Sequence, residues 1–247
     1  MLLDLHAIAP LLLLVAFAAY VQTIAGFAYG LILMGVIGWL KLIPLADAAI
    51  LVSLTSLVNV LVALRGDWAG INRGTLAAIL LGLIPGLLGG IWLLDYLSSE
   101  TEQTLRLLLG VTLLGGGFLL MLKPTPYRQP SPTWTLGFFG LLGGLGGGLF
   151  SVSGPPVVFH LYRQPQPLAV LKATLLAVFG FSTLLRILVV SAQGQMDAQL
   201  LLLGALAAPV VSLATLAGRR YPPPLSETNL KRGAFLLVTL MGITLLL

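Results

Sequence analysis

Residues 134–163 read WTLGFFGLLGGLGGGLFSVSGPPVVFHLYR, thirty positions without an acidic side chain, interrupted by a glycine run, two serines and a proline pair. One straight helix of that length would run about 45 Å, well beyond the ~30 Å hydrocarbon core of a bilayer. Glycine and proline near its middle interrupt the backbone hydrogen-bond ladder. Inside a membrane such an interruption is tolerated only where protein or a water-filled cavity satisfies the freed groups. The stretch therefore predicts two helical pieces meeting at a break, with Gly143 to Gly148 and Ser151 to Pro156 as the punctuation. Residues 8–40 repeat the pattern, with Gln22-Thr23-Ile24-Ala25-Gly26-Phe27-Ala28-Tyr29-Gly30 as the interruption.

Composition sets the environment. Of 247 residues, 58% are hydrophobic and 9% charged, and the mean hydropathy is +1.04. A soluble domain carries about 25% charged residues to face water, so most of this surface faces lipid. The chain has no cysteine, which excludes disulfides and thiolate chemistry. A net charge of +5 fits basic residues gathered in membrane loops rather than nucleic-acid binding. The first apolar run lacks a basic leader and reads as a membrane segment, not a cleaved signal. Further crossings are expected at 45–64, 74–97, 103–122, 168–190, 199–218 and 232–247. Turn signals bound them at Arg65-Gly66-Asp67, Ser98-Ser99-Glu100, Lys123-Pro124 and Tyr221 to Pro224.

The order of events repeats. Each broken segment is followed by a Pro-started helix (Pro44, Pro167), a polar loop (Gly66-Asp67-Trp68, Gly194 to Asp197), a Gly/Pro-rich helix and a final helix. The expected fold is an all-α polytopic inner-membrane protein of two repeats, 1–123 and 134–247, joined by a loop at 124–133. Each repeat has a broken or re-entrant first segment followed by three transmembrane helices. Counting five pieces per half places Arg65, Arg73, Lys123, Arg128, Arg163, Lys172, Arg219, Arg220, Lys231 and Arg232 on one face, and only Lys41, Arg106 and Arg186 on the other. By the positive-inside rule the first face is cytoplasmic. An odd number of pieces also inverts the halves relative to one another.

Function is expected at the two breaks. A helix starting in mid-membrane presents unpaired N–H groups and the positive end of its macrodipole, which suits an anion. The candidate residues are Gly26, Tyr29 and Gly30 in the first half. In the second they are Gly147, Gly148, Ser151, Ser153, Gly154, Pro155 and Pro156. The Pro-started helices carry Ser53, Thr55, Ser56 and Asn59, of which Thr55, Ser56 and Asn59 share a face, with Thr174 and Ser182 in the second half. Asn59 is expected either to line the cavity or to bridge helices. Gly82, Gly86 and Gly90 read as helix-packing glycines. Gly140, Gly144 and Gly148 share their small-xxx-small spacing, but the serines and double proline that follow favour a site over packing alone from Gly144 to Pro156. Lys172 and Arg186 read as side chains snorkelling to an interface, with guidance of an anion as the other reading. His160 reads as interfacial, and Asp47 as a carboxylate offsetting its helix dipole. His6 and His160 are the only histidines, so no metal site, cofactor or enzymatic centre is expected.

The run Gly143 to Pro156, with Gly26-Phe27-Ala28-Tyr29-Gly30 in the first half, resembles the sulfite exporter TauE/SafE family of membrane permeases over nearly the whole chain. Ala28 and Tyr29 stand where that family commonly has glycines. The resemblance implies a permease for sulfite, sulfonates or related small organic anions, working by export. A permease for another solute, such as a metal cation, and a non-transporting membrane scaffold are the rival readings. Expected partners are the small anion and the bilayer, with no nucleic acid and with a homodimer left open.

Overall fold

The computed structural model describes residues 5–98, 102–121, 126–222 and 227–246, and only the backbone of 5–7, 120, 227–232, 234 and 235. The expected turn residues Ser99, Glu100, Lys123, Pro124, Pro223 and Pro224, and the side chains of His6, Lys231 and Arg232, lie outside the described residues. Ten α-helices follow one another, with no strand among the described residues: α1 Leu5–Ala25, α2 Tyr29–Leu40, α3 Leu45–Ala63, α4 Arg73–Ser98, α5 Glu102–Met121, α6 Thr133–Phe150, α7 Gly154–Leu161, α8 Leu168–Ala192, α9 Ala198–Arg220 and α10 Glu227–Leu246. Six of them (α1, α3, α4, α6, α8 and α9) are long and apolar enough to cross a bilayer. Five expected crossings fall within two residues of their helices, and the last begins five residues earlier than expected.

Proline places several starts. Pro44, Pro132 and Pro167 each cap a helix with extended ψ of 143°, 149° and 140°, so the helical turn begins on the next residue. Large apolar side chains such as Leu13, Leu81, Trp92, Trp134 and Leu213 lie exposed on the outside. They form the lipid-facing surface that the composition requires.

Both expected breaks are present, but the second is narrower than the sequence suggested. Gly143 to Gly148 are helical within α6, and the interruption is confined to Ser151-Val152-Ser153. Most of the run serves contact with α4. A β-carbon on Gly140, Gly144 or Gly148 would collide with the carbonyl oxygens of Ile79, Leu83 or Leu87. Conversely, one on Gly82, Gly86 or Gly90 would strike the carbonyls of Gly137, Leu141 or Leu145. The two helices touch backbone to backbone, the arrangement that small residues permit in membranes.

After its break the chain turns back. The Phe139 and His160 rings stack at 4.3 Å. A β-carbon on Gly143 would meet a Val157 methyl at 2.6 Å, and one on Gly147 would strike the Ser153 hydroxyl. Residues rising along α6 thus face residues falling along α7, so α6 and α7 form an antiparallel hairpin.

The most extensive contacts come in matched pairs. α4 packs along α6 and α9 along α1; α3 meets α9 and α8 meets α4; α10 meets α2 and α5 meets α7. Exchanging the first five helices for the last five turns each contact into its partner, with α3–α8 and α5–α10 mapping onto themselves.

Candidate functional site

Left-handed backbone builds the breaks. Gly26 (φ 82°) and Ala28 (φ 97°) precede α2, and Ser151 (φ 56°) follows α6. Glycine takes such angles freely, whereas alanine and serine do so at a cost. Pro155 and Pro156 occupy the first turn of α7, where a missing N–H forfeits no helix bond. The two breaks face one another: a β-carbon on Gly30 would lie 2.6 Å from the carbonyl oxygen of Ser151, the C-cap of α6, and Tyr29, Gly30, Ser153 and Gly154 line one cavity. Two helix N-termini, each positive at its end, therefore converge.

Between them is a cavity of about 30 Å³ lined by Gln22, Tyr29, Gly30, Ser151, Ser153 and Gly154, with Ser56 beside them. It has room for one or two waters. Four serine hydroxyls from three segments gather here. Ser153 and Ser182 share a 2.6 Å hydrogen bond, and Ser53 pairs with Ser151 at 3.0 Å. Behind them sits Arg186, 1% exposed. Its Nε donates to the Gly148 carbonyl at 3.1 Å, and Nη1 reaches toward Ser53 Oγ at 3.5 Å. A guanidinium has five N–H donors, and these contacts use two. Among the described residues, no carboxylate lies within ion-pair distance of it.

Arg186 is thus no snorkelling side chain. It is enclosed by α3, α6 and α8, and its charge stays inside the protein. His160, in the last turn of α7, is packed within the protein, stacked on Phe139 and 3.3 Å from Gln164 Nε2. Lys172 is half-buried in the wall of a second cavity.

That second cavity, about 430 Å³, is bounded by Gln22, Gly26, Asp67, Lys172 and Arg219. Arg219 donates to the Val62, Ala63 and Arg65 carbonyls at 3.2, 3.1 and 2.9 Å, closing the last turn of α3. It also approaches Asp67 at 3.6 Å. Gln22 is the residue common to both cavities, and its Oε1 accepts the Tyr29 N–H at 2.8 Å.

The expected residues divide accordingly. Tyr29, Gly30, Ser151, Ser153 and Gly154 line the central cavity, while Gly26 lines the larger one. Gly147 lies behind the Ser153 and Ser182 hydroxyls, Gly148 offers its carbonyl to Arg186, and Pro155 packs where Gly116 leaves room. Asn59 does not reach the cavity. Its Nδ2 donates to Thr215 Oγ1 at 2.7 Å and toward the Ala19 carbonyl at 3.4 Å, tying α3 to α9 and α1. Sequence reasoning left out Gln22 and placed Arg186 at an interface. The available signal for Arg186 was its spacing from Ser182, four residues along one helix face.

An enclosed cation, a cluster of hydroxyls and two opposed helix starts inside a lipid-faced helical bundle define a membrane transporter. The chain belongs to the sulfite exporter TauE/SafE family, whose model matches residues 11–245. It is 42% identical over 228 residues, 92% of this chain and 89% of the relative, to the "probable sulfite/organosulfonate exporter TauE" of Cupriavidus necator. No solved structure matches the chain.

Proposed function

We propose that this protein exports sulfite or an organosulfonate, and that the anion passes between the two helix breaks. One observation carries the reading: Arg186 is buried beside four serine hydroxyls with no carboxylate in ion-pair contact among the described residues, Asp95 acting on it only from longer range. A cation inside a membrane protein is costly unless something neutralises it. The sulfonate or sulfite oxygens supply a counter-charge in direct contact, and the serines and helix starts supply hydrogen-bond donors to them. The same positive charge repels a metal cation, which argues against the cation-permease reading.

The halves are proposed as inverted repeats, supported by the exchangeable contact pairs and by the segregation of helix ends. Arg65, Asp67 and Arg219 gather at one end. Lys41, Glu102 and Arg106 line a groove of about 540 Å³ with the last residues of α10. The first end is taken as cytoplasmic, by the excess of basic residues. Both breaks come from one chain, so a homodimer would add no residue to the site.

The test is Arg186→Gln in proteoliposomes loaded with sulfite. Truncating a buried charge partner costs roughly 2–5 kcal/mol of binding, so sulfite affinity should fall about 30-fold or more and efflux should vanish at low concentration. Native efflux from a well-folded Arg186→Gln protein would remove the proposal.

A further inference from the structure

Gln22 occupies an unusual place. It precedes the break by a full turn, is 3% exposed, and its side chain spans the gap to bond the Tyr29 N–H across seven residues. Ala28, the N-cap of α2, makes no side-chain cap of its own. Gln22 therefore satisfies one of the N–H groups that the proposed anion would take. It is also the residue shared by the central cavity and the 430 Å³ cavity that reaches Lys172, Asp67 and Arg219. With the central cavity only about 30 Å³, the molecule has a roomy compartment on one side of Gln22 and a nearly filled one on the other.

We infer that the larger cavity is the cytoplasmic loading vestibule and that the Gln22 carboxamide is its inner gate, a built-in stand-in ligand that the incoming anion displaces from the Tyr29 N–H. The inference rests on the proposed anion site. Its mechanics follow from local chemistry. The carboxamide oxygen is a neutral acceptor, so the bond it makes to a helix start is weaker than the one a sulfonate oxygen makes. Anion binding thus opens the gate, and departure of the anion lets Gln22 return. Gly26, with φ 82°, sits between Gln22 and α2 and gives the backbone a place to flex. Lys172 and Arg219 in the vestibule wall raise the local anion concentration ahead of the gate.

The native chain has no cysteine, so accessibility can be read from single introduced thiols without background. Ser56→Cys reports on the central cavity and Ala169→Cys on the vestibule. Both are labelled from the cytoplasmic side in inside-out vesicles with a small anionic methanethiosulfonate. Gln22→Ala, and Gln22→Met, which preserves bulk but removes the acceptor, should speed Ser56→Cys labelling about five- to tenfold, the effect of losing one neutral hydrogen bond. Ala169→Cys labelling should stay at the native rate, showing that the vestibule is intact. Unchanged Ser56→Cys labelling in both variants overturns the gate. Sulfite protection of Ser56→Cys is read separately: its absence in the native background removes the anion site, and the gate inference falls with it. Protection present together with unchanged rates in the Gln22 variants removes the gate alone.

Discussion

The backbone at Ala28 shows how single residues set this site. Its φ of 97° lies in the left-handed region, where an L-residue with a β-carbon is destabilised by about 1–2 kcal/mol. Glycine escapes that penalty but costs about 0.5–1 kcal/mol more in chain entropy. Ala28→Gly should therefore gain about 0.5–1 kcal/mol, seen as a rise in the thermal midpoint in detergent, with sulfite efflux retained. A fall in the midpoint would show that the alanine methyl does more packing than its strained backbone loses. At this scale the sequence was only partly legible. Tyr29, Gly30, Ser151, Ser153 and Gly154 line the cavity. Arg186 was misplaced for a physical reason. Six residues from the end of α8 is about 9 Å along the axis, within an arginine's reach of an interface. What encloses it instead is α3 and α6, distant in sequence, through Ser53 and Gly148.

Glycine patterning governs how the helices approach. Along α4 and α6, six glycines alternate so that each places bare backbone against the carbonyls of its neighbour. The spacing was legible as packing at Gly82, Gly86 and Gly90. The same spacing was visible in Gly140, Gly144 and Gly148, but the serines and double proline that follow drew that stretch toward the break reading. A glycine run can loosen a helix or let one pack closely, and only the partner helix decides between them. Gly86→Val would drive its β-carbon into the Leu141 carbonyl. Forced separation of α4 from α6 should cost at least about 2 kcal/mol, seen as lost monodispersity or a lower thermal midpoint. Gly115, with nothing within 4 Å of its added β-carbon, is the control. Gly115→Ala should be neutral or stabilising by up to about 1 kcal/mol through helix propensity. Equal damage from both substitutions would mean that general membrane insertion, not this contact, is being measured.

Across the whole molecule, arrangement suggests what drives transport. The lining of the central cavity includes no aspartate or glutamate, so no carboxylate stands beside the proposed anion to carry a compensating proton. The expectation is therefore that the charge of the anion crosses uncompensated. Moving one negative charge outward against a cytoplasm-negative potential gains about 2.3 kcal/mol per 100 mV, which sustains roughly a fiftyfold concentration ratio at equilibrium. Export then needs no coupling ion, and uptake against a gradient would require one. This yields a direct measurement in proteoliposomes loaded with a monovalent sulfonate, with the potential clamped by potassium and valinomycin. Efflux should rise with interior-negative potential, reverse when the potential is inverted, and null near the ratio given above for each 100 mV. Collapsing a pH gradient with a protonophore at fixed potential should leave the rate unchanged. Flux indifferent to potential but abolished by the protonophore would assign the driving force to protons. The Arg186 and serine cluster would then belong to a coupled exchanger with its proton carrier outside the central cavity.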